Sequence, residues 1–546
     1  MDHTDTGGAP VNRWLPAIAI MLSAAMEMLD TSVVNVSLPH IAGSLSATVE
    51  EATWVLTSYI VANAIILPIS GWLASYFGRK RLLMTVVTGF TVSSLLCGLA
   101  PSLGWLIFFR IMQGTTGGGL VPLSQAILLE TFPVEERGKA MAFWGLGMIA
   151  FPILGPTLGG WLTDNYSWRW VFYVNLPVGI TSLIMMHYYV FDPHYLKRTS
   201  GRVDAWGLGM LVVGMGAFQI MLDKGQEEDW FSSDMIFMLA IIAGVGLTAF
   251  VIRELSIKEP LVNLRLFKYY TFTTGTFIGG LLGFVLFGSL VLLPLFMQVL
   301  LGFPAVTAGF WNTPRGIGTL IVMPITGILL GRRWDPRILL TTGLLIASVS
   351  FFGYAALNLH AGGSDFLLPQ IIQGAGLAMV FVPLTTVAMD PIPLPLMGFA
   401  TSLYSVIRNM GSSIGISYVT TQLARRSQFH QVRLTEALSQ YNPNVQEALK
   451  SLGAFAGAHG SPASSTQGIA VLYGQVLREA MAMSFLDLFH LLGMIFLLVT
   501  PVVWVMRRPR HHRTPANGSA PSPPPLKAAQ QQSAQAGATS KSQASN

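Results

Sequence analysis

Met26-Glu27-Met28-Leu29-Asp30-Thr31-Ser32-Val33-Val34-Asn35-Val36-Ser37-Leu38-Pro39 decides the fold. It continues an apolar run that starts at Trp14, and together they read as one membrane-spanning helix. Glu27 and Asp30 are three positions apart, so they share a helix face. A charged carboxylate at membrane depth costs several kcal/mol, and proton or ion binding is the leading reason to carry one. Glu27 lies about 13 residues past Trp14, or about 20 Å along the helix. That is deep for an acid that merely meets water at a helix end; this plainer reading suits Asp30 better.

The rest of the chain is of the same kind. Of 546 residues, 52% are hydrophobic and 11% charged, against about 25% charged in a soluble domain. Mean hydropathy is +0.55, the composition of an integral membrane protein. A net charge of +6 and an isoelectric point near 9.4 do not indicate nucleic acid. The basic residues sit in short loops between apolar runs, where they carry topology. The single cysteine, Cys97, can form no intramolecular disulfide. Residues 1–13 are polar and lack a small-residue cleavage site, which makes the first span a retained signal anchor.

Apolar runs predict an all-α membrane protein of about fourteen spans: 14–38, 52–75, 81–100, 104–130, 138–162, 169–192, 204–223, 235–254, 271–299, 305–331, 338–359, 366–390, 397–422 and 485–506. Alternate loops hold Arg79-Lys80-Arg81, Arg137 with Lys139, Lys197 with Arg198 and Arg202, Lys258 with Arg265 and Lys268, and Arg332 with Arg333 and Arg337. The other short loops hold little beyond Arg169 and Lys224. The positive-inside rule then puts both termini in the cytoplasm. Residues 423–484 read as a polar outer loop, and 511–546, rich in Pro, Ser, Gln and Ala, as a disordered cytoplasmic tail.

The chain also repeats itself. Gly71-Trp-Leu-Ala-Ser-Tyr-Phe-Gly-Arg-Lys-Arg81 parallels Gly327 to Arg337, Arg110-Ile-Met-Gln-Gly114 parallels Gln370-Ile-Ile-Gln-Gly374, and Leu38-Pro39 parallels Leu293-Pro294. The offsets are 256, 260 and 255 residues. Near-constant spacing predicts two parallel halves with a substrate site between them near the midplane. The first half is 14–192 and the second 271–506, with an extra helix pair at 204–254 between them.

These motifs, in this order, resemble the major facilitator superfamily, and within it the EmrB/QacA-type fourteen-span drug:proton antiporters. The resemblance covers nearly the whole chain before the tail. It rests on Leu29-Asp30 to Pro39, on Gly155-Pro156-Thr-Leu-Gly159-Gly160, on Trp168-Arg-Trp-Val-Phe-Tyr-Val-Asn-Leu-Pro-Val-Gly179 and on Leu222 to Ser233. It implies a proton-coupled multidrug efflux antiporter of the bacterial inner membrane. Its implied partners are protons, small hydrophobic substrates, a periplasmic adaptor of the EmrA type and an outer-membrane channel of the TolC type. It implies no cofactor and no enzymatic activity.

Residue chemistry and resemblance then give candidate roles. Burial disfavours a charged carboxylate, so Asp30 and Glu27 are candidates to take a proton outside and release it inside. The resemblance supports Asp30; Glu27 rests on its depth. Arg110, among Phe108, Phe109, Ile111 and Met112, is a fixed cation that the resemblance ties to proton coupling; the plainer alternative is an arginine snorkelling to the surface. Arg408 is a similar candidate in the second half, for the substrate cavity or for helix–helix hydrogen bonding. Gly155, Pro156, Gly159 and Gly160 form an antiporter motif whose small residues allow close helix approach, with Phe151 where the motif has a further glycine. Gly71, Gly78, Arg79 and Lys80 match a cytoplasmic loop motif, or plain topology signals. Ser75 stands where that motif has an aspartate, and Glu130 and Asp390, near the inner ends of corresponding spans, are candidates to supply the missing charge.

Two other functions fit the same pattern: an exporter of one metabolite, siderophore or fatty acid, and a membrane receptor or scaffold that transports nothing. The buried charges argue against the scaffold. A primary pump is excluded by the lack of a Gly-x-x-x-x-Gly-Lys-[Ser/Thr] loop. No metal-ligand cluster or nucleophile triad stands out.

Overall fold

A computed structural model of the chain describes residues 13–190, 204–332, 334–436, 438, 443, 445–447 and 465–506. The tail expected at 511–546 and the middle of the expected outer loop lie outside the described residues. Among the described residues there is no strand.

The opening stretch lies in one continuous helix, α1 (Trp14–Ser44), which buries both Glu27 and Asp30. A short turn leads to α2 (Val49–Ile66), started by a capping box: the Glu51 N–H donates to Thr48 Oγ1 at 3.1 Å and the Thr48 N–H donates to Glu51 Oε2 at 2.9 Å. One 3₁₀ turn, Leu67–Ile69, passes into α3 (Ser70–Phe77), and Gly78 turns the chain at once into α4 (Arg79–Gly98). Gly78 has φ of +89°, a conformation that side chains other than glycine's strain to adopt.

The expected span 104–130 is two pieces, α5 (Leu103–Gly117) and α6 (Leu120–Thr131), parted at Gly118-Gly119. The long α7 (Arg137–Asn165) follows, then a single turn α8 (Trp170–Tyr173) and α9 (Asn175–Tyr189). The pair α10 (Ala205–Lys224) and α11 (Asp234–Ser256) come next. In α12 (Tyr270–Leu295), Pro294 removes a backbone donor, and a π turn follows over Phe296–Leu300. The remaining elements are α13 (Ala305–Asn312), α14 (Pro314–Gly331), α15 (Pro336–Ala355), α16 (Leu367–Met389), α17 (Met397–Glu436) and α18 (Ser465–Val505).

Among the described residues, twelve spans are long and apolar enough to cross a membrane. The two other expected spans are helical but fall short of that measure. One is broken at Gly118-Gly119, and the other lies in α17, whose membrane-length part carries Ser402, Ser405, Arg408, Asn409, Ser412 and Ser413. The loop expected at 423–484 is helical at both ends. α17 runs on to Glu436 and α18 begins at Ser465, because Gln431 Nε2 donates to Tyr473 Oη (2.9 Å) and Asp487 accepts from Arg426 and faces His430 at 2.8 Å. These contacts let both helices continue beyond their apolar stretches.

Helices α1, α2, α4, α5, α7 and α9 pack among themselves, as do α12, α14, α15, α16, α17 and α18. The two groups meet closely at the end of the bundle that carries the basic loops. There a methyl at Gly71 would lie 2.7 Å from the Gly398 carbonyl oxygen, and one at Gly327 would lie 2.9 Å from Ala142 Cβ. Ser70 and Ser402 hydroxyls are 2.7 Å apart, and Trp144 stacks on Phe381 with centroids 6.0 Å apart. That end is sealed.

Candidate functional site

The two acids of α1 meet different surroundings. Asp30 is fully buried and every oxygen is held. Its Oδ2 accepts from Arg110 Nη1 at 2.6 Å, and its Oδ1 accepts from Gln113 Nε2 at 2.9 Å and Asn175 Nδ2 at 2.7 Å. Arg110 is held through Nη1 and Nε, while its Nη2 has no hydrogen-bond partner among the described residues. Nη1 also donates to Gln113 Oε1 (2.7 Å), Nε donates to the Val55 carbonyl (3.0 Å), and the guanidinium lies 4.2 Å from the centroid of the Tyr59 ring. Five elements contribute to this centre: α1, α2, α4 through Ser94, α5 and α9. Asn175 donates to Ser94 Oγ at 3.0 Å as well as to Asp30. Arg110 does not snorkel to the surface, because its partners lie inside.

Glu27, one turn away, lies outside that network. Its Oε1 accepts from Asn63 Nδ2 of α2 at 2.7 Å, and its Oε2 has no hydrogen-bond partner among the described residues. Arg408 of α17 is the cation whose field reaches Glu27 from the other helix group, and it also faces Tyr404. A buried carboxylate with one neutral side-chain donor, the Val121 backbone and the Arg408 charge as its only help, and no hydrogen-bond partner on Oε2, is poorly compensated when charged. A proton on Oε2 removes that charge without disturbing the bond to Asn63.

The Gly155 motif explains itself through its proline. Pro156 has no N–H, so the Pro152 carbonyl one turn earlier loses its helical donor. Ser32 Oγ of α1 donates to that carbonyl at 2.8 Å. Gly155 lies against the Ser32 side chain, where a methyl would overlap it, and a methyl at Gly159 would lie 2.9 Å from the Val33 carbonyl oxygen. Ser37 and Thr163 hydroxyls, 2.8 Å apart, extend the seam. Phe151 interrupts it, and Gly147 resumes it against Met21. Gly160 faces open space and takes no part in the close approach.

In the loop motif, Arg79 forms a buried ion pair with Glu130 of α6. Ser75 bonds back to the Gly71 carbonyl at 3.1 Å, so Glu130 supplies the charge that the serine lacks. Lys80 Nζ donates to the His187 carbonyl at 2.7 Å. Asp390 ends α16 and is half-buried.

Sequence reasoning missed the amides Asn63, Gln113 and Asn175 and the hydroxyl of Ser32. A signal was present: Gln113 is three residues from Arg110 and so shares its face, and all three amides sit inside apolar runs. Reading them required knowing which helices are neighbours. It also missed Arg315 of α14, buried with Nε donating to Gln370 Oε1 at 3.1 Å.

Comparison with known proteins agrees with this architecture. The family model of the Major Facilitator Superfamily matches residues 20–416. The multidrug export protein EmrB of Haemophilus influenzae is 37% identical over 505 residues, covering 92% of this chain and 97% of that protein. The fatty acid resistance protein FarB of Neisseria gonorrhoeae is 35% identical, covering 94% and 99%. Among solved structures, the proton:xylose symporter XylE superposes with a TM-score of 0.55 at 15% identity, covering 91% of this chain and 96% of that one. The fold, the motifs and these likenesses together place the chain in the major facilitator superfamily, whose members are multi-pass membrane transporters.

Proposed function

We propose that this chain is a proton-coupled multidrug efflux antiporter of the bacterial inner membrane, exporting hydrophobic or amphiphilic toxic compounds by alternating access. Relatives named for multidrug export support the efflux reading. In this reading the chain has fourteen spans with both termini cytoplasmic: halves at 14–192 and 271–506, and an inserted pair at 204–254. Its partners are a periplasmic adaptor and an outer-membrane channel, for which the helical ends of the 423–484 segment and the inserted pair are the contact surfaces.

The observation that carries the coupling mechanism is the bare Oε2 of Glu27 beside an Asp30 whose two oxygens are both held. Glu27 is the proton carrier; Asp30 and Arg110 form a fixed pair that holds α1, α2, α5 and α9 in register. With the basic-loop end sealed, Glu27 takes its proton from the outer side. Opening the seal exposes it to the cytoplasm, where it releases the proton and a cationic substrate competes for the site. One proton charge crossing 100 mV is worth about 2.3 kcal/mol when the substrate is neutral, whereas exchange of one proton for one monovalent cation moves no net charge and is driven by the pH gradient. Arg408 reaches Glu27 from the second half and so links its protonation to the movement of the halves.

Ethidium uptake into everted vesicles, with a pH dye inside, tests this. Glu27→Gln should still bind ethidium but lose substrate-triggered proton movement. Full proton-coupled export by Glu27→Gln would return the carrier role to Asp30. A second reading, export of one fatty acid or a similar metabolite, is favoured by the likeness to FarB; a deletion strain sensitive to fatty acids but to no dyes would select it.

A further inference from the structure

The polar centre of the first half has a counterpart in the second, and it lacks an anion. The repeat offset of 255 carries Asp30 onto Val285, a fully buried valine, and the offset of 260 carries Arg110 onto Gln370. The cation returns from another helix, as Arg315 of α14, only 3% exposed. Its Nε donates to Gln370 Oε1, and Gln370 Nε2 in turn donates to Asn312 Oδ1 at 2.9 Å. Arg315 Nη1 and Nη2 have no hydrogen-bond partner among the described residues. Tyr354 of α15 is the titratable group that faces it, and the Tyr354 hydroxyl donates to Gln373 Oε1 at 3.1 Å. No described carboxylate pairs with Arg315.

Arginine cannot shed its proton to escape this position. A buried cation left uncompensated is strongly destabilising, and a carboxylate is the group whose geometry matches both free arms of the guanidinium fork. The place is also right for cargo. Arg315 is ten residues after the start of α13, about 15 Å along the span. Its side chain turns to Gln370 of α16 and Tyr354 of α15 within the second group, while its neighbour Gly316 packs on Ile153 of α7 across the seam. Transporter substrates bind near the midplane, at about this depth.

We propose that Arg315 anchors a second binding site, in which the carboxylate of an amphiphilic organic anion takes the place that Asp30 fills in the first half. This rests on the efflux reading only in treating the anion as cargo. The protein then holds two complementary sites: Glu27 for cationic substrates and Arg315 for anionic ones.

Binding of tritiated naphthoate to the full-length protein in detergent, by scintillation proximity, tests the site. Wild type should bind saturably, displaced by unlabelled naphthoate and not by neutral naphthamide. Arg315→Gln should weaken binding by about tenfold or more, the worth of a charged hydrogen-bonded pair. Arg315→Lys, with the charge but not the fork, should fall between them. Ethidium export by Arg315→Gln should persist, which certifies its fold. Equal naphthoate affinity in wild type and Arg315→Gln would overturn the proposal. So would displacement by naphthamide, displacement by equimolar chloride, or no saturable binding to a wild type that exports ethidium. If Arg315→Gln does not fold, the naphthamide and chloride arms on wild type decide alone. Failure of wild type to export ethidium would instead defeat the multidrug reading and leave the naphthoate result standing.

Discussion

The Asp30–Arg110 pair yields the sharpest energetic prediction, because its two members differ in how they respond to losing each other. In Asp30→Asn the guanidinium keeps Gln113 and the Val55 carbonyl but loses its counter-charge in a fully buried place. It cannot deprotonate, so the cost is that of an uncompensated buried ion, about 3–5 kcal/mol. In Arg110→Met the aspartate keeps two amide donors, Gln113 and Asn175, and can neutralise by taking a proton. That variant should lose about 1–3 kcal/mol, for the Asp30 Oδ2 and Gln113 Oε1 acceptors that lose the Arg110 donor. The double variant carries neither charge and should cost little more than Arg110→Met alone. The coupling energy is then at least about 2 kcal/mol. Melting of the purified protein in detergent should show Asp30→Asn lower by roughly 3–5 °C for a chain of 546 residues, with partial recovery in the double variant. Shifts that simply add in the double variant, or a larger loss in Arg110→Met than in Asp30→Asn, would refute the reasoning.

Three further predictions follow from single contacts. Ser32→Ala leaves the Pro152 carbonyl without its donor and should cost about 1–3 kcal/mol, read as a lower melting temperature that Pro156→Ala in the same background restores; no recovery would mean the proline is not the cause. Gly71→Val cannot approach the Gly398 carbonyl, so a cysteine at Ser402 in everted vesicles should react severalfold faster with an impermeant maleimide, and unchanged labelling would deny the seal. The Arg253 guanidinium, bonded to both oxygens of Asp204 at 2.7 Å, holds that carboxyl below the usual range. Its stabilisation is therefore complete above about pH 4 and is lost as pH falls through the lowered value, so Asp204→Asn should speed hydrogen exchange in the first turn of α10 at neutral pH, and equal exchange would count against the pair.

Much of the fold is legible in the sequence because membrane spans are written in local composition. Trp14 to Ser44 is apolar enough to read without knowing its neighbours. The exceptions have physical causes. α17 buries serines and an arginine against other helices, so hydropathy understates it, and α6 with α5 makes one span only across a glycine pair. At the site, Glu27, Asp30 and Arg110 were legible because charge is conspicuous in an apolar run. What was not legible is which acid is satisfied. That depends on Asn63, Gln113 and Asn175 arriving from three other helices, and neutral amides leave no mark in charge or hydropathy. Glu130 was legible only as a candidate, since its pairing with Arg79 joins residues from two separate helices.

The inserted helices bear on mechanism through what α10 touches. Near its C-terminal end, Asp223 accepts from Thr57 and Lys224 Nζ donates to Thr53 Oγ1 at 2.9 Å, both on α2 of the first group. Gln219 exchanges hydrogen bonds with Ser413 at 3.0 and 3.2 Å, and just beyond α10 Trp230 Nε1 donates to Thr421 Oγ1 at 3.0 Å, both on α17 of the second. α2 runs on through α3 to Gly71, and α17 begins at Gly398's end, so the helices that α10 joins at one end are those sealed together at the other. Any motion that parts Gly71 from Gly398 turns α2 against α17 and must strain or exchange the bonds made by α10. The contacts to α2 involve charged side chains, and those to α17 are neutral. Charge-assisted bonds are about twice as strong as neutral ones, so α10 stays with the first group and its bonds to Ser413 and Thr421 are the ones that give. In the proposed alternating-access cycle the inserted pair is thus part of the moving interface, and its neutral contacts are the ones that exchange as the bundle opens.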